Sequence, residues 1–431
     1  MNRRKFLIHS GLLTGTTTLL PLSSSCKNTT VALNTWEKVR AQFQFTPDRI
    51  HLSQMLFAAH PAPVRAAIEK HRKAFDENPV EYVEENFLPA IDKVKESAAK
   101  YLEVKKEEIV LTDSTTMGLA LLYHGLQLKE GEEVLTSTHA HFSTHKSLDY
   151  AAARTGALIR KIDLYKDPSQ TSVSEMIDSI RKAIGPQTRV LALTWVHSST
   201  GVKTPVKEIS AYIQSVNAGR SAKDRIYVCV DGVHGFGIDN ITMKDLGCDF
   251  FVAGTHKWLF GPRGTGILWG REEAWEIVRP TIPAFREKPY IMWMGYIPEG
   301  PVEFSNWITP GGYHAFEHRW ALKEAFDFHL TIGKERIQTR TQALNTRLKT
   351  GLKDIKKLKL HTPLSPEISA GINCFEVPGL QPKEVVSKLS EKKIIATVSP
   401  YRISYPRLTP SIINTKEEVD IAIACMREIC A

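Results

Sequence analysis

"FVAGTHKWLFGPRGTGILWG", residues 251–270, decides the reading of this chain. An apolar run ends in Thr255, His256 and Lys257, and a glycine-rich turn then leads into a second apolar run at 265–270. Such runs read as strands buried on both faces. A lysine placed between them sits where its neighbours indicate burial, and a desolvated amine is easier to deprotonate than a solvated one.

Working outward, the same kind of run recurs. "EEIVLTD" (107–113), "EEVLTS" (132–137), "TRVLALTWV" (188–196), "RIYVCVDG" (225–232) and "CDFFVAG" (248–254) read as further strands, and amphipathic segments such as "VSEMIDSIRKAI" (173–184) lie between them. Alternating strands and helices predict an α/β fold with a mainly parallel sheet covered by helices. A proline-rich stretch around 279–310 breaks this rhythm. After it come a long helical pattern, "HAFEHRWALKEAFDFHL" (314–330), and mixed α and β segments. The expected organisation is an N-terminal arm (29–60), a large domain (61–310) and a smaller α+β C-terminal domain (311–431). A length of 431 residues suits two domains.

Open α/β sheets hold ligands outside the carboxyl ends of their strands, so the residues at those ends matter. One strand ends at Asp231, with His234 three residues on; the next ends at Thr255, His256 and Lys257. A third ends at Ser114, Thr115 and Thr116 and runs into a helical pattern, "MGLALLYHGL". Hydroxyls with free backbone N–H groups at a helix N-terminus suit a phosphate. One rim therefore offers an anion cradle, a carboxylate and a lysine.

Pyridoxal phosphate requires all three. Its phosphate needs the cradle, its aldehyde needs an amine held in low polarity, and its ring nitrogen needs an acid partner. Lys257 is the candidate for bonding the aldehyde and Asp231 for facing the ring nitrogen. Each has a simpler alternative: a lysine after a strand is often a surface residue, and Asp231 could cap the next turn. His139, His141 and His145 lie close together, yet no carboxylate or cysteine accompanies them in "THAHFSTHKS", so no metal site is expected. "GPRGTG" lacks the Lys-Ser/Thr ending of a nucleotide loop and reads as a tight turn.

The remaining features bound the setting. Hydrophobic residues make up 42% and charged residues 24%, as in ordinary globular proteins. Arg3, Arg4 and Lys5 supply three of the net +9 charges, and no basic block is interleaved with aromatics, so nucleic-acid binding is not expected. "NRRKFLIHSGLLTGTTTLLPLSSSC" over residues 2–26 has the form of an export signal, its paired arginines resembling the twin-arginine type. That predicts a periplasmic or membrane-anchored protein, with residues 1–28 as signal and Cys26 as a candidate lipid-anchor site. The other five cysteines show no paired spacing.

Taken together, "VDGVHGFG" and "THKWLFGPRGTGILW" resemble the class V aminotransferases, a branch of the fold-type I pyridoxal phosphate enzymes that includes isopenicillin N epimerase, cysteine desulfurases and kynureninase. The resemblance extends from "IHLSQMLFAAHPAPV" (50–64) to "YRISYPRLTPSIINTKEEVD" (401–420) and is nearest the isopenicillin N epimerase branch. It implies a homodimer with roles for individual residues. Ser114, Thr115, Thr116, Thr255 and His256 would approach the phosphate, His141 would stack on the ring, and Ser198 and His234 would lie near its hydroxyl. Arg402 would grip the carboxylate of an amino-acid substrate. Two departures stand out. "EKKIIATVSPYRIS" (391–404) has no cysteine where desulfurases carry a nucleophilic one, and "TPGGYHAFEH" (309–318) replaces the Gly-Thr segment that a partner subunit sends to the phosphate.

The expected chemistry is removal of an amino acid's α-proton by Lys257. Aminotransferase activity comes first on this reading. Epimerisation and C–S or other lyase activity are the alternatives, and a non-catalytic interaction protein of the same fold is a more distant one.

Overall fold

Seven strands form the main sheet of the computed structural model: β1 (Ile109–Thr112), β2 (Glu133–Ser137), β3 (Leu158–Ile162), β4 (Thr188–Thr194), β5 (Tyr227–Asp231), β6 (Phe250–Gly254) and β7 (Gly266–Gly270). The structure describes residues 32–298, 300 and 303–431, so the arginine-rich leader and Cys26 lie outside the described residues. The strand order is β1-β7-β6-β5-β4-β2-β3. Strands β2 to β6 pair in parallel, while β7 is antiparallel to both β6 and β1.

The unbroken apolar runs follow from packing on both faces. Phe251 and Ala253 enter one core with Leu191, Leu193, Val228 and Val230, while Phe250 and Val252 enter the opposite core with Val190, Ala192 and Cys229. Successive side chains point to opposite faces, so a strand covered on both sides shows no polar alternation. Six of the seven strands are evident in the sequence for this reason. The seventh, β3, is an edge strand carrying Arg160 and Lys161, and Arg160 pairs with Glu133 at 2.7 Å. Charges protect an edge from further pairing, and here they also hide the strand from an apolar-run search.

A second, four-stranded antiparallel sheet joins Thr397–Val398, Pro406–Leu408, Asn373–Glu376 and Lys359–Leu360 in that order. Leu344, Leu348, Phe375, Leu389, Val419 and Met426 form a core beside it. The helical pattern at 314–330 is realised as two helices, Phe316–Trp320 and Leu322–Ile332, whose Phe316, Trp320 and Phe326 enter the core of the large sheet. Ile50–His51 pairs with Ile394–Ile395, after which the chain passes the end of β6, where Ala58 N–H donates to the His256 carbonyl at 3.2 Å. The carboxyl ends of β4, β5 and β6 are thus approached from the second sheet and from the N-terminal arm.

Candidate active site

Register places Asp231 opposite Thr194 on β4 and Val252 on β6. Asp231 is 3% exposed, and burial raises its carboxyl to about 6, opposed by a Val233 N–H and by the Lys257 charge. Its two contacts are long: Val233 N–H donates to Oδ1 at 3.3 Å and Thr144 Oγ1 to Oδ2 at 3.5 Å. The Val233 contact is the turn cap anticipated from sequence, but the carboxylate keeps capacity to accept a shorter hydrogen bond from a ring N–H.

Lys257 follows β6 by three residues. Thr255, fully buried, fixes the strand end: its N–H donates to the Thr265 carbonyl at 3.1 Å and its carbonyl accepts from Gly261 at 2.8 Å. The turn after Lys257 closes through Phe260 N–H donating to the Lys257 carbonyl at 3.0 Å, with Phe260 at φ 58. A bulky residue in the left-handed region is strained, and packing of Phe260 against Phe43 at 5.0 Å holds it there. Burial is the main cause that lowers the Lys257 amine to about 8; Asp231 opposes this and Arg407 adds to it. Its Nζ lies 3.2 Å from His234 Nε2. Burial, then the Lys257 charge, holds His234 well below the ordinary histidine range.

Two helix N-termini meet on this rim. Ser114 caps the helix Thr115–Gly125, its Oγ accepting from Met117 N–H at 3.1 Å. His141 caps the helix Phe142–Thr155, its Nδ1 accepting from Ser143 N–H at 3.2 Å. Thr116 Oγ1 and Ser143 Oγ join the two first turns at 2.9 Å. Thr115 Oγ1 accepts from Gly254 N–H at 2.7 Å, tying the first helix to the end of β6. The partial positive charges of both termini therefore converge. Beside them, His256 has a buried Nδ1 with no partner, and burial lowers its ring to about 4.

Most of the residues singled out from sequence share this cluster, but Arg402 does not. Its side chain is exposed and makes no hydrogen bond or ion pair among the described residues. The arginine at the site is Arg407, 3% exposed, which donates to the Ser198 carbonyl at 3.0 Å, the Val398 carbonyl at 3.0 Å and Thr397 Oγ1 at 3.1 Å. Its charge reaches Lys257, His141 and His234. Ser198 is buried, and its hydroxyl lies 2.7 Å from the Tyr401 hydroxyl; the Tyr401 ring sits edge-on to His141 at 6.2 Å. Tyr401, Arg407 and Thr144 were missed from sequence. Arg407 lies on a short buried strand, Pro406–Leu408, whereas Arg402 stands in the loop "SPYRISYP".

The neighbouring histidines are structural. His145 Nε2 bonds the Ser137 carbonyl at 2.8 Å, and His139 stacks on Tyr165 at 4.0 Å with its Nε2 buried and unpartnered.

These features fit pyridoxal phosphate. Paired helix N-termini and the unpartnered His256 Nδ1 suit its phosphate, the buried Asp231 suits its ring nitrogen, and the Lys257 amine suits its aldehyde.

The aminotransferase class-V family model matches residues 58–400. The isopenicillin N epimerase of Streptomyces clavuligerus is 24% identical over 405 residues, covering 90% of this chain and 97% of that protein. A probable cysteine desulfurase of Xylella fastidiosa is 25% identical over 420 residues, covering 91% and 95%. Among solved structures, a C-DES variant with glycine covalently linked to its pyridoxal phosphate cofactor superposes with a TM-score of 0.80 at 21% identity, covering 90% of this chain and 99% of that one. The chain belongs to the aminotransferase class-V family, with pyridoxal phosphate as its expected cofactor.

Proposed function

We propose that this protein removes the α-proton of an amino acid with pyridoxal phosphate bound, Lys257 being the residue that holds the cofactor and then moves the proton. The observation that carries the reading is the placement of Lys257 just past the end of β6, its Nζ 3.2 Å from His234 Nε2, on one rim with the buried Asp231 at the end of β5; burial there lowers the amine to about 8. When bound, the cofactor supplies an electron sink that stabilises negative charge at the substrate's Cα. Asp231 serves this by accepting the hydrogen bond of a protonated ring nitrogen. His256, Ser114, Thr115 and Thr116 would hold the phosphate, His141 and Ser198 the ring, and Arg407 the substrate carboxylate. With the cofactor bound, Lys257 would be the group that takes the α-proton, because an amine with a pKa near 8 is neutral in a useful fraction at pH 7.

Transamination is the outcome we place first, since it needs no proton carrier beyond Lys257. Epimerisation is the second reading, and one observation favours it. The Tyr401 hydroxyl on Ser198 is a further O–H at the site; it shares the neighbours Asp231 and Arg407 with Lys257, and among the described residues the two make no hydrogen bond to each other. A thiol-dependent desulfurase draws less support, because all five described cysteines are buried and burial pushes each thiol up, Cys374 to about 12.

The test is proton NMR of the loaded enzyme in heavy water with a panel of amino acids, with and without an α-keto acid. Exchange at Cα that is lost in Lys257→Ala supports the reading. Net conversion only with the keto acid identifies a transaminase, and inversion without it identifies an epimerase. No exchange with any amino acid overturns the reading.

We further propose a homodimer, exported by the twin-arginine route and then either periplasmic or held at the membrane through Cys26. The dimer part rests on the family resemblance; exposed aromatic side chains such as Tyr313 at 86% and Trp293 at 78% are available for a contact with a second copy. Sedimentation velocity of the loaded protein tests the dimer, and fractionation of cells carrying Cys26→Ala tests the anchor.

A further inference from the structure

Trp258, next to Lys257, is 1% exposed, and its indole N–H donates to His234 Nδ1 at 3.4 Å. An indole nitrogen only donates, so Nδ1 of His234 must be the bare, accepting nitrogen of the ring. A neutral imidazole with Nδ1 bare carries its single proton on Nε2. That nitrogen is the one 3.2 Å from Lys257 Nζ, so the ring donates and the lysine receives. Only an uncharged amine has a lone pair to receive with. The opposite arrangement, an ammonium donating to a bare Nε2, would put a proton on Nδ1, pointing at the indole N–H.

We propose that Trp258 is a positioning residue for Lys257: it fixes the proton of His234 on Nε2, and through that ring it favours the neutral, nucleophilic form of the lysine. The proposal deepens the cofactor reading and rests on it only for the purpose that a neutral amine serves. Around this chain of three side chains, the charged and titratable groups are Asp231 and Arg407 facing Lys257, and Arg407, His141 and His256 facing His234. Asp231 is the one group that favours the ammonium, and the tautomer lock works against it.

Two measurements test the proposal. Histidine-selective 15N NMR of the cofactor-free full chain reads the tautomer directly. The expected result is a His234 with an unprotonated Nδ1 and a protonated Nε2; the reverse overturns the proposal. The rate of pyridoxal phosphate capture by cofactor-free protein, followed by absorbance against pH, reads the consequence. In Trp258→Phe the lock is lost and the lysine titrates higher. Capture should therefore slow by about tenfold near pH 7 for each pK unit gained, and rejoin the unmodified rate near pH 10. A uniform loss at every pH, or an unchanged profile, would make Trp258 a packing residue only and overturn the proposal. If neither protein captures the cofactor at any pH, the cofactor reading fails, and the NMR tautomer still decides the role of Trp258.

Discussion

Lys257 Nζ stands 3.2 Å from His234 Nε2 and outside salt-bridge distance of Asp231, although Asp231 is the nearest source of negative charge to act on it. This separation matters to the chemistry. A direct lysine–carboxylate pair would hold the amine as a cation and make it a poor nucleophile. With a neutral imidazole as its hydrogen-bond partner, the amine stays available, and the carboxylate stays free for the cofactor ring.

The first consequence concerns stability against pH. The Lys257 amine lies near 8 in the folded chain and near its ordinary 10.5 when unfolded. Between those values the unfolded chain binds the extra proton, so this group makes stability rise with pH from about 8 to about 10.5, and its contribution is lost as pH falls through 8. Lys95 and Lys349 are lowered to about 8 in the same way, and the raised thiols act in the opposite sense, so the Lys257 share is read as a difference: in urea unfolding of the cofactor-free proteins, Lys257→Met should gain more stability over the unmodified protein at pH 7.5 than at pH 10.

The two arginines give a second test. Arg407→Met removes a buried guanidinium and leaves the Ser198 and Val398 carbonyls without their donor. Charged hydrogen bonds contribute about 1.5–3 kcal/mol, so KM for the amino acid should rise about 10- to 100-fold. Arg402→Met, at an exposed position, should stay within about twofold. Steady-state kinetics on both variants decides between them.

Gly254 tests the anion cradle. A Cβ at that position would lie 2.9 Å from Thr115 Oγ1 and 3.1 Å from the His256 ring. Gly254→Ala should force the helix start away from β6 at a cost of about 1–3 kcal/mol, weakening cofactor binding by at least about tenfold near the middle of that range. Equilibrium dialysis with pyridoxal phosphate measures it, and unaltered affinity would remove Thr115 from the cradle.

Tyr401→Phe addresses the second functional reading. If the Tyr401 hydroxyl delivers a proton to Cα, the variant should keep α-exchange of one enantiomer while interconversion of enantiomers falls about 100-fold, the lower end of what a positioned acid contributes. Chiral chromatography beside the exchange assay separates the two.

How far the sequence reads ahead of the structure depends on what each residue does locally. Lys257, Asp231 and the Ser114–Thr116 turn are visible because each ends an apolar run, and strand ends are where such sheets bind ligands. Arg407 is hard to see because its strand has three residues, too short for a period to emerge, while Arg402 stands conspicuously in a loop nearby. Tyr401 and Trp258 have no periodic signal at all. Tyr401 depends on a contact across 203 residues with Ser198, and Trp258 on the direction of one N–H.

The most direct measurement is to load the purified protein with pyridoxal phosphate, fix any lysine-bound pyridoxal with borohydride, and locate the label by peptide mass spectrometry. The account predicts a single labelled peptide carrying the pyridoxyl group on Lys257, and no specific label in Lys257→Ala. A label on another lysine, or none on the unmodified protein, would contradict it.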